Sequence, residues 1–233
     1  MIKKISPNPI KLIKFYKFIN HNLIYNNKAI NRYKKDNFEL SADKAKNLEK
    51  LKKSILNIRN CSLKAGATNM VFNDGNPKSK IMFLGEAPGL NEDQEGLPFV
   101  GRAGALLDKM LASINLDRKN VYISNIINYR PPENRRPTDE EMSRYLPFVK
   151  KHVEIIAPKI LVLLGSTAMN ALIGEDVVIS KVRGQWIEKK FGQCKTSVIV
   201  TFHPAFLMRQ PTQKKFAWAD LKMIRDKKAK LTI

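Results

Sequence analysis

From residue 80 onward, short apolar runs alternate with segments whose apolar residues recur at helical spacing. KIMFLG, NVYISNII, PKILVLLG and SVIVTF read as strands. GALLDKMLASI, DEEMSRYLPFVKKHVEII, STAMNALIG and TQKKFAWADLKMIRDKK read as the helices between and after them. Four short strands interleaved with helices of about 10 to 18 residues form βα units, which predicts an α/β fold with a parallel sheet covered by helices on both faces. Ahead of this region, Leu48, Leu51, Ile55 and Ile58 recur at helical spacing. Ser41 is the candidate N-cap of that helix, and Lys44 in place of Glu leaves its capping box incomplete. The polar stretch NNKAINRYKKDNFEL separates it from an amphipathic helix expected from about residue 8 to 20. The predicted organisation is a basic N-terminal arm with a helix over residues 1–41 and one α/β domain over 42–233.

In open sheets of this kind, ligands bind beyond the carboxyl ends of the strands. The first predicted strand ends at Gly85-Glu86-Ala87-Pro88-Gly89, and the second near Asn125, followed by YRPPENRRP. The third ends at Leu164-Gly165-Ser166, and the fourth at Thr201-Phe202-His203-Pro204-Ala205. These ends should converge on one crevice.

Composition sharpens what that crevice would face. Forty-two Lys and Arg against 21 Asp and Glu give a formal net charge of +21, which predicts attraction to polyanions, nucleic acid first. Against this background, residues 83–104 hold Glu86, Glu92, Asp93 and Glu95 in one glycine-rich stretch. No apolar run approaches the roughly 18 residues of a membrane span, so no membrane partner is expected. The opening segment lacks the apolar core and cleavage site of a secretory signal. Two cysteines, Cys61 and Cys194, make neither a disulfide framework nor a four-thiolate metal site, and they fit a reduced cytoplasmic setting.

GEAPG alone is a glycine-rich turn of low specificity, neither a Walker loop nor GxGxxG, and HPA alone is weaker. Their order along the chain carries more. GEAPG is followed by Glu92-Asp93, then GLPFVGRAG, SNIINYRPPENRRP and HPAFLMR. That ordered set resembles the family 4 uracil-DNA glycosylases of the uracil-DNA glycosylase superfamily, from about Cys61 to Leu221. The resemblance implies a three-layer α/β/α sandwich around a central four-stranded, mainly parallel sheet. It also implies a base-excision-repair hydrolase that cleaves the bond between uracil and deoxyribose in DNA and leaves an abasic site.

The residues suit that chemistry. A base in a duplex must be flipped into a pocket, where a pyrimidine needs an aromatic face, and Phe99 is the candidate. Uracil presents the O4 acceptor beside the N3–H donor, and one fixed carboxamide serves both while rejecting cytosine. Asn125 matches the family's uracil-reading Asn, with Ser124 and Asn128 as polar neighbours. Cleavage builds positive charge on the sugar and negative charge on the base. Candidate catalytic residues are therefore Glu86 and Glu92, for the sugar and the attacking water, and His203, as donor to uracil O2 beside backbone N–H groups around Ala87. Asn134 matches a family position tied to the active site. Asp93 and Glu95 read as loop-ordering or solvated residues. Arg102, Arg130, Arg135, Arg136 and Arg209 flank these motifs and suit DNA phosphates, and Leu207 or Met208 is the candidate wedge into the base stack.

One part of the family pattern is missing. Family 4 enzymes usually hold a 4Fe-4S cluster on four Cys thiolates. Cys61 alone matches, while Ile58, Tyr129 and Tyr145 stand at the other three positions. No cofactor is expected. The expected partner is uracil-containing DNA, bound by a monomer. The competing reading is a catalytically inactive DNA-binding relative with the same fold.

Overall fold

The computed structural model describes residues 44–174 and 177–233. The expected arm over 1–41, its helix and the Ser41 cap lie outside the described residues. In chain order the elements are α1 (Lys44–Leu56), α2 (Ser62–Gly66), β1 (Asp74–Gly75), β2 (Ile81–Gly85), α3 (Leu90–Glu95), α4 (Arg102–Ala112) and β3 (Tyr122–Asn125). There follow α5 (Asp139–Ile156), β4 (Ile160–Leu164), α6 (Ser166–Leu172), α7 (Ile179–Val182), β5 (Trp186–Phe191), β6 (Cys194–Thr201), α8 (Pro204–Arg209) and α9 (Lys214–Lys230). Short 3₁₀ turns at Pro132–Asn134 and Pro211–Gln213 complete the chain.

The sheet has six strands in the order β1-β3-β2-β4-β6-β5. The four expected strands are present as β2, β3, β4 and β6, and every pairing among them is parallel. β1 and β5 are additional antiparallel edges, so the expected four-stranded count is corrected to six. Neither edge carries a strong sequence signal: β1 is two residues long, and β5 contains charged residues with only Phe191 buried. Helix α1 ends at Leu56, which leaves Ile58 beyond the helix it was expected to extend.

Layering follows from strand alternation. Phe83, Ile123, Val162 and Ile199 face a core that α4 and α9 close with Leu107, Leu111, Leu221 and Ile224. Their chain neighbours point the other way, where the Tyr122 hydroxyl meets His152 of α5 at 2.7 Å. Because both faces are covered, β2 and β4 are apolar and buried along their whole length. Helix α5 begins at a capping box in which Thr138 accepts the Glu141 N–H and Glu141 accepts the Thr138 N–H. Helix α9 is tied to the end of β6 by Asp220, which accepts the Thr201 hydroxyl at 2.7 Å and pairs with Arg183. That buried pair fixes the segment from which His203 leaves the sheet.

β2 and β4 are neighbours, yet the next major helices, α4 and α6, lie on opposite faces. Such a switch point opens a crevice at the carboxyl ends of the strands.

Candidate active site

The crevice holds a cavity of about 180 Å³ walled by Glu86, Ala87, Gly89, Glu92, Phe99, Asn125, Asn134 and His203, with Pro88, Ala103, Pro131, Arg135 and Ala205. Its volume is below the roughly 300–1,000 Å³ typical of drug-sized ligands, and suits a single small ring. All seven residues expected for catalysis and base binding line it. A second cavity of about 670 Å³ shares Glu86, Ala87, Asn134, His203 and Ala205 with the first and extends past Arg136, Ser166 and Arg209.

Asn125 ends β3 in register with Gly85 at the end of β2. It is 4% exposed, and its carboxamide has no hydrogen-bond partner among the described residues. The two polar alternatives are committed elsewhere. Ser124 donates to the Phe72 carbonyl at 2.6 Å, and Asn128 donates to the Val71 carbonyl at 3.0 Å. A Cβ on Gly85 would overlap both the Asn125 Oδ1 and the Phe99 ring, so only glycine lets that strand end pass between them.

Phe99 is held in the left-handed region at φ 57°, a conformation unfavourable for a bulky residue. Two residues that sequence reasoning missed hold it there. Arg118 donates to the Pro98 carbonyl at 3.1 Å and to the Phe99 carbonyl, while pairing with Asp74 and Asp108 at 2.6 and 2.8 Å. Gly104 lies against the Phe99 carbonyl so tightly that a Cβ would overlap it. Arg118 acts across 19 positions of chain, so no local motif marks it, whereas Gly104 closes the GLPFVGRAG stretch five residues after Phe99. The Phe99 ring lies 5.6 Å from the His203 ring.

The carboxylates divide by their partners. Both oxygens of Glu92 accept backbone N–H groups, from Gly101 at 2.9 Å and Gly89 at 3.1 Å, joining the two glycine-rich loops. Asp93 is buried and accepts the Thr68 and Asn69 N–H groups. Glu95 ends α3. Glu86 instead accepts the Thr167 hydroxyl on Oε2 at 2.5 Å and faces both cavities.

His203 caps α8, its Nδ1 accepting the Ala205 N–H at 3.2 Å. Burial pushes its pKa down to about 4, helped by the Arg209 charge and opposed by Glu92. The ring is therefore neutral near pH 7, with its single proton on Nε2.

The cationic residues are less uniform. Arg130 donates to Asn134 Oδ1 at 2.8 Å, and Arg135 makes a bidentate pair with Glu141 at 2.6 and 2.8 Å. Arg136 donates to the Ser166 and Thr167 hydroxyls. Arg102, at the start of α4, and Arg209, at the end of α8, are exposed. Leu207 is 1% exposed in the α4–α9 core, so of the two candidate wedges only Met208 reaches the surface.

At the position implied for a cluster, the Cys61 thiol and the Tyr145 hydroxyl lie 3.4 Å apart. Burial raises the pKa of Tyr145 and, with Cys61, of Tyr129, so both phenols stay protonated. The Tyr129 hydroxyl is buried without a partner among the described residues, and Ile58 borders the same groove as Cys61. One thiol, two phenols and an aliphatic side chain do not fit an iron–sulfur cluster. No group of three or more His, Cys, Asp or Glu arranged for a metal occurs among the described residues. Cys194 is buried at the start of β6. No described helix is long and apolar enough to cross a membrane.

Residues 72–222 match the uracil DNA glycosylase superfamily. The chain is 41% identical over 184 residues to a type-4 uracil-DNA glycosylase of Sulfurisphaera tokodaii, covering 77% of this chain and 84% of that one. To one from Archaeoglobus fulgidus it is 40% identical, covering 76% and 91% of the two chains, and to one from Thermotoga maritima 45% identical, covering 64% and 77%. The chain belongs to the uracil-DNA glycosylase superfamily and, within it, to the type-4 uracil-DNA glycosylases.

Proposed function

We propose that this protein hydrolyses the N-glycosidic bond of uracil in DNA, releasing uracil and leaving an abasic site. The observation that carries the reading is Asn125: a buried carboxamide with no hydrogen-bond partner among the described residues, in a ring-sized cavity with Phe99 on its wall. A flipped uracil stacks on Phe99 and fills both hydrogen-bonding positions of Asn125.

As the C1′–N1 bond breaks, His203 Nε2–H and the backbone around Ala87 donate to uracil O2, where negative charge collects. Glu86 stands toward the sugar, stabilises its positive charge and takes the proton that the attacking water releases to form the new C1′–O bond. Glu92 shapes the pocket by holding its two loops together. The second cavity, with Arg136 and Arg209 on its wall, receives the sugar and adjoining phosphates. Arg102, Arg130 and Arg135 add phosphate contacts, and Met208 enters the base stack. The enzyme works as a cytoplasmic monomer without an iron–sulfur cluster, because the residues at that position supply one thiolate in place of four.

The test is single-turnover incubation with labelled DNA carrying one uracil, followed by alkali to break abasic sites. Cleavage at uracil that Asn125→Ala and His203→Ala each slow by about 100-fold or more is the expected result. Folded protein that binds this DNA without cleaving it would move the reading to an inactive DNA-binding relative.

A further inference from the structure

Glu86 stands one residue beyond the end of β2, across the switch point from the start of α6. The only hydrogen bond to its carboxylate among the described residues comes from Thr167, two residues after Gly165 at the end of β4. Thr167 is 4% exposed, and its Oγ1 takes part in two contacts, to Glu86 Oε2 at 2.5 Å and to Arg136 Nη2 at 3.2 Å. An arginine only donates and an ionised carboxylate only accepts. The single hydroxyl proton must therefore point at Glu86, while the oxygen accepts from Arg136.

We infer that Thr167 is a positioning residue for uracil excision, which fixes the Glu86 carboxylate between the two cavities. The inference rests on the glycosylase reading above. A free glutamate side chain samples several rotamers, and a carboxylate meant for a developing cation acts only from the right place. Thr167 supplies a rigid anchor because its branched Cβ restricts χ1 and its helix begins in a packed turn. That turn, at Gly165 with φ 92°, lies so close to His203 that an added Cβ would sit 3.0 Å from the His203 Cβ. The carboxylate and the imidazole are thus referenced to one piece of backbone. The other Glu86 oxygen, Oε1, has no hydrogen bond among the described residues and is left for sugar or water.

The experiment measures single-turnover rate and KM on uracil-containing DNA for Thr167→Val, Thr167→Ser, Glu86→Gln and the Thr167→Val/Glu86→Gln pair, with melting curves for each. Thr167→Val is expected to lower the maximal rate roughly 10- to 100-fold with KM within about 3-fold of the unmodified protein. Thr167→Ser should restore most of the rate, and Thr167→Val should add nothing to the loss caused by Glu86→Gln, because its effect passes through that carboxylate. If Thr167→Val melts below the assay temperature, Thr167→Ala is judged by the same criteria. A Thr167→Val enzyme at full rate, a fully additive pair, or a Thr167→Ser enzyme as slow as Thr167→Val would each overturn the inference while leaving the glycosylase reading intact. Failure of the unmodified protein to release uracil would overturn that reading, and this inference with it.

Discussion

The backbone N–H of Ala205 donates to His203 Nδ1 at 3.2 Å, so the imidazole proton resides on Nε2. Burial holds the pKa near 4, below the ordinary value near 6.5. Protonation therefore begins only as pH falls toward that lower value. The excision rate should show no His203-dependent limb between pH 8 and about pH 5. A limb centred near pH 6.5 that disappears in His203→Gln would contradict this.

Gly85 leaves no room for a side chain between Asn125 and Phe99. Gly85→Ala should cut excision by about 100-fold or more, because the base and its reader shift by a sizeable fraction of an ångström. Overpacking should cost about 1–3 kcal/mol in stability. Denaturant melts and uracil-release assays on the same preparation separate the two effects.

Arg118 restrains a loop that Phe99 enters in an unfavourable conformation. Arg118→Met keeps most of the apolar stem and removes every donor. It should slow excision about 10-fold and raise KM, since loss of the charge-assisted bonds frees the stacking ring. Unchanged kinetics would show that packing against Gly104 suffices.

Tyr145 is fully buried and meets Cys61 at the position that the family resemblance implies for a cluster. Purified protein should contain no stoichiometric iron or sulfide even when prepared without oxygen, and iron chelators should leave the melting temperature unchanged. Tyr145→Ala should cost about 3–5 kcal/mol through the lost volume. Stoichiometric iron bound at Cys61 would refute the absence of a cluster.

His152 is buried against Phe72, with centroids 4.6 Å apart, and its Nε2 shares a hydrogen bond with the Tyr122 hydroxyl at 2.7 Å. Burial lowers its pKa to about 3. Because the folded value lies below the unfolded one, the unfolded chain binds the proton first. The stability due to this site is complete above about pH 6.5 and declines as pH falls. The double variant Tyr122→Phe/His152→Phe removes both polar partners together, which should be nearly neutral at pH 7 and flatten the slope between pH 6.5 and 4.5. An unaltered slope in urea titrations would assign the acid sensitivity elsewhere.

Local chemistry wrote much of this molecule into its sequence. Apolar runs long enough for a covered strand marked β2, β3, β4 and β6, and the switch-point rule located the crevice before any residue was assigned a role. That Phe99, Asn125 and His203 line one cavity was legible because each sits in a short motif, at a strand end for Asn125 and His203 and just before α4 for Phe99. Three things were not. The edge strands β1 and β5 are defined by what they pair with, and pairing leaves little trace in a two-residue or charged segment. Arg118 and Thr167 act across 19 and 81 positions of chain, on the Phe99 carbonyl and the Glu86 carboxylate, so no spacing rule reaches them. Glu86 and Glu92 look alike in sequence. The fold separates them, giving Glu92 two backbone amides and Glu86 one hydroxyl, because hydrogen-bond partners are assigned by proximity in space.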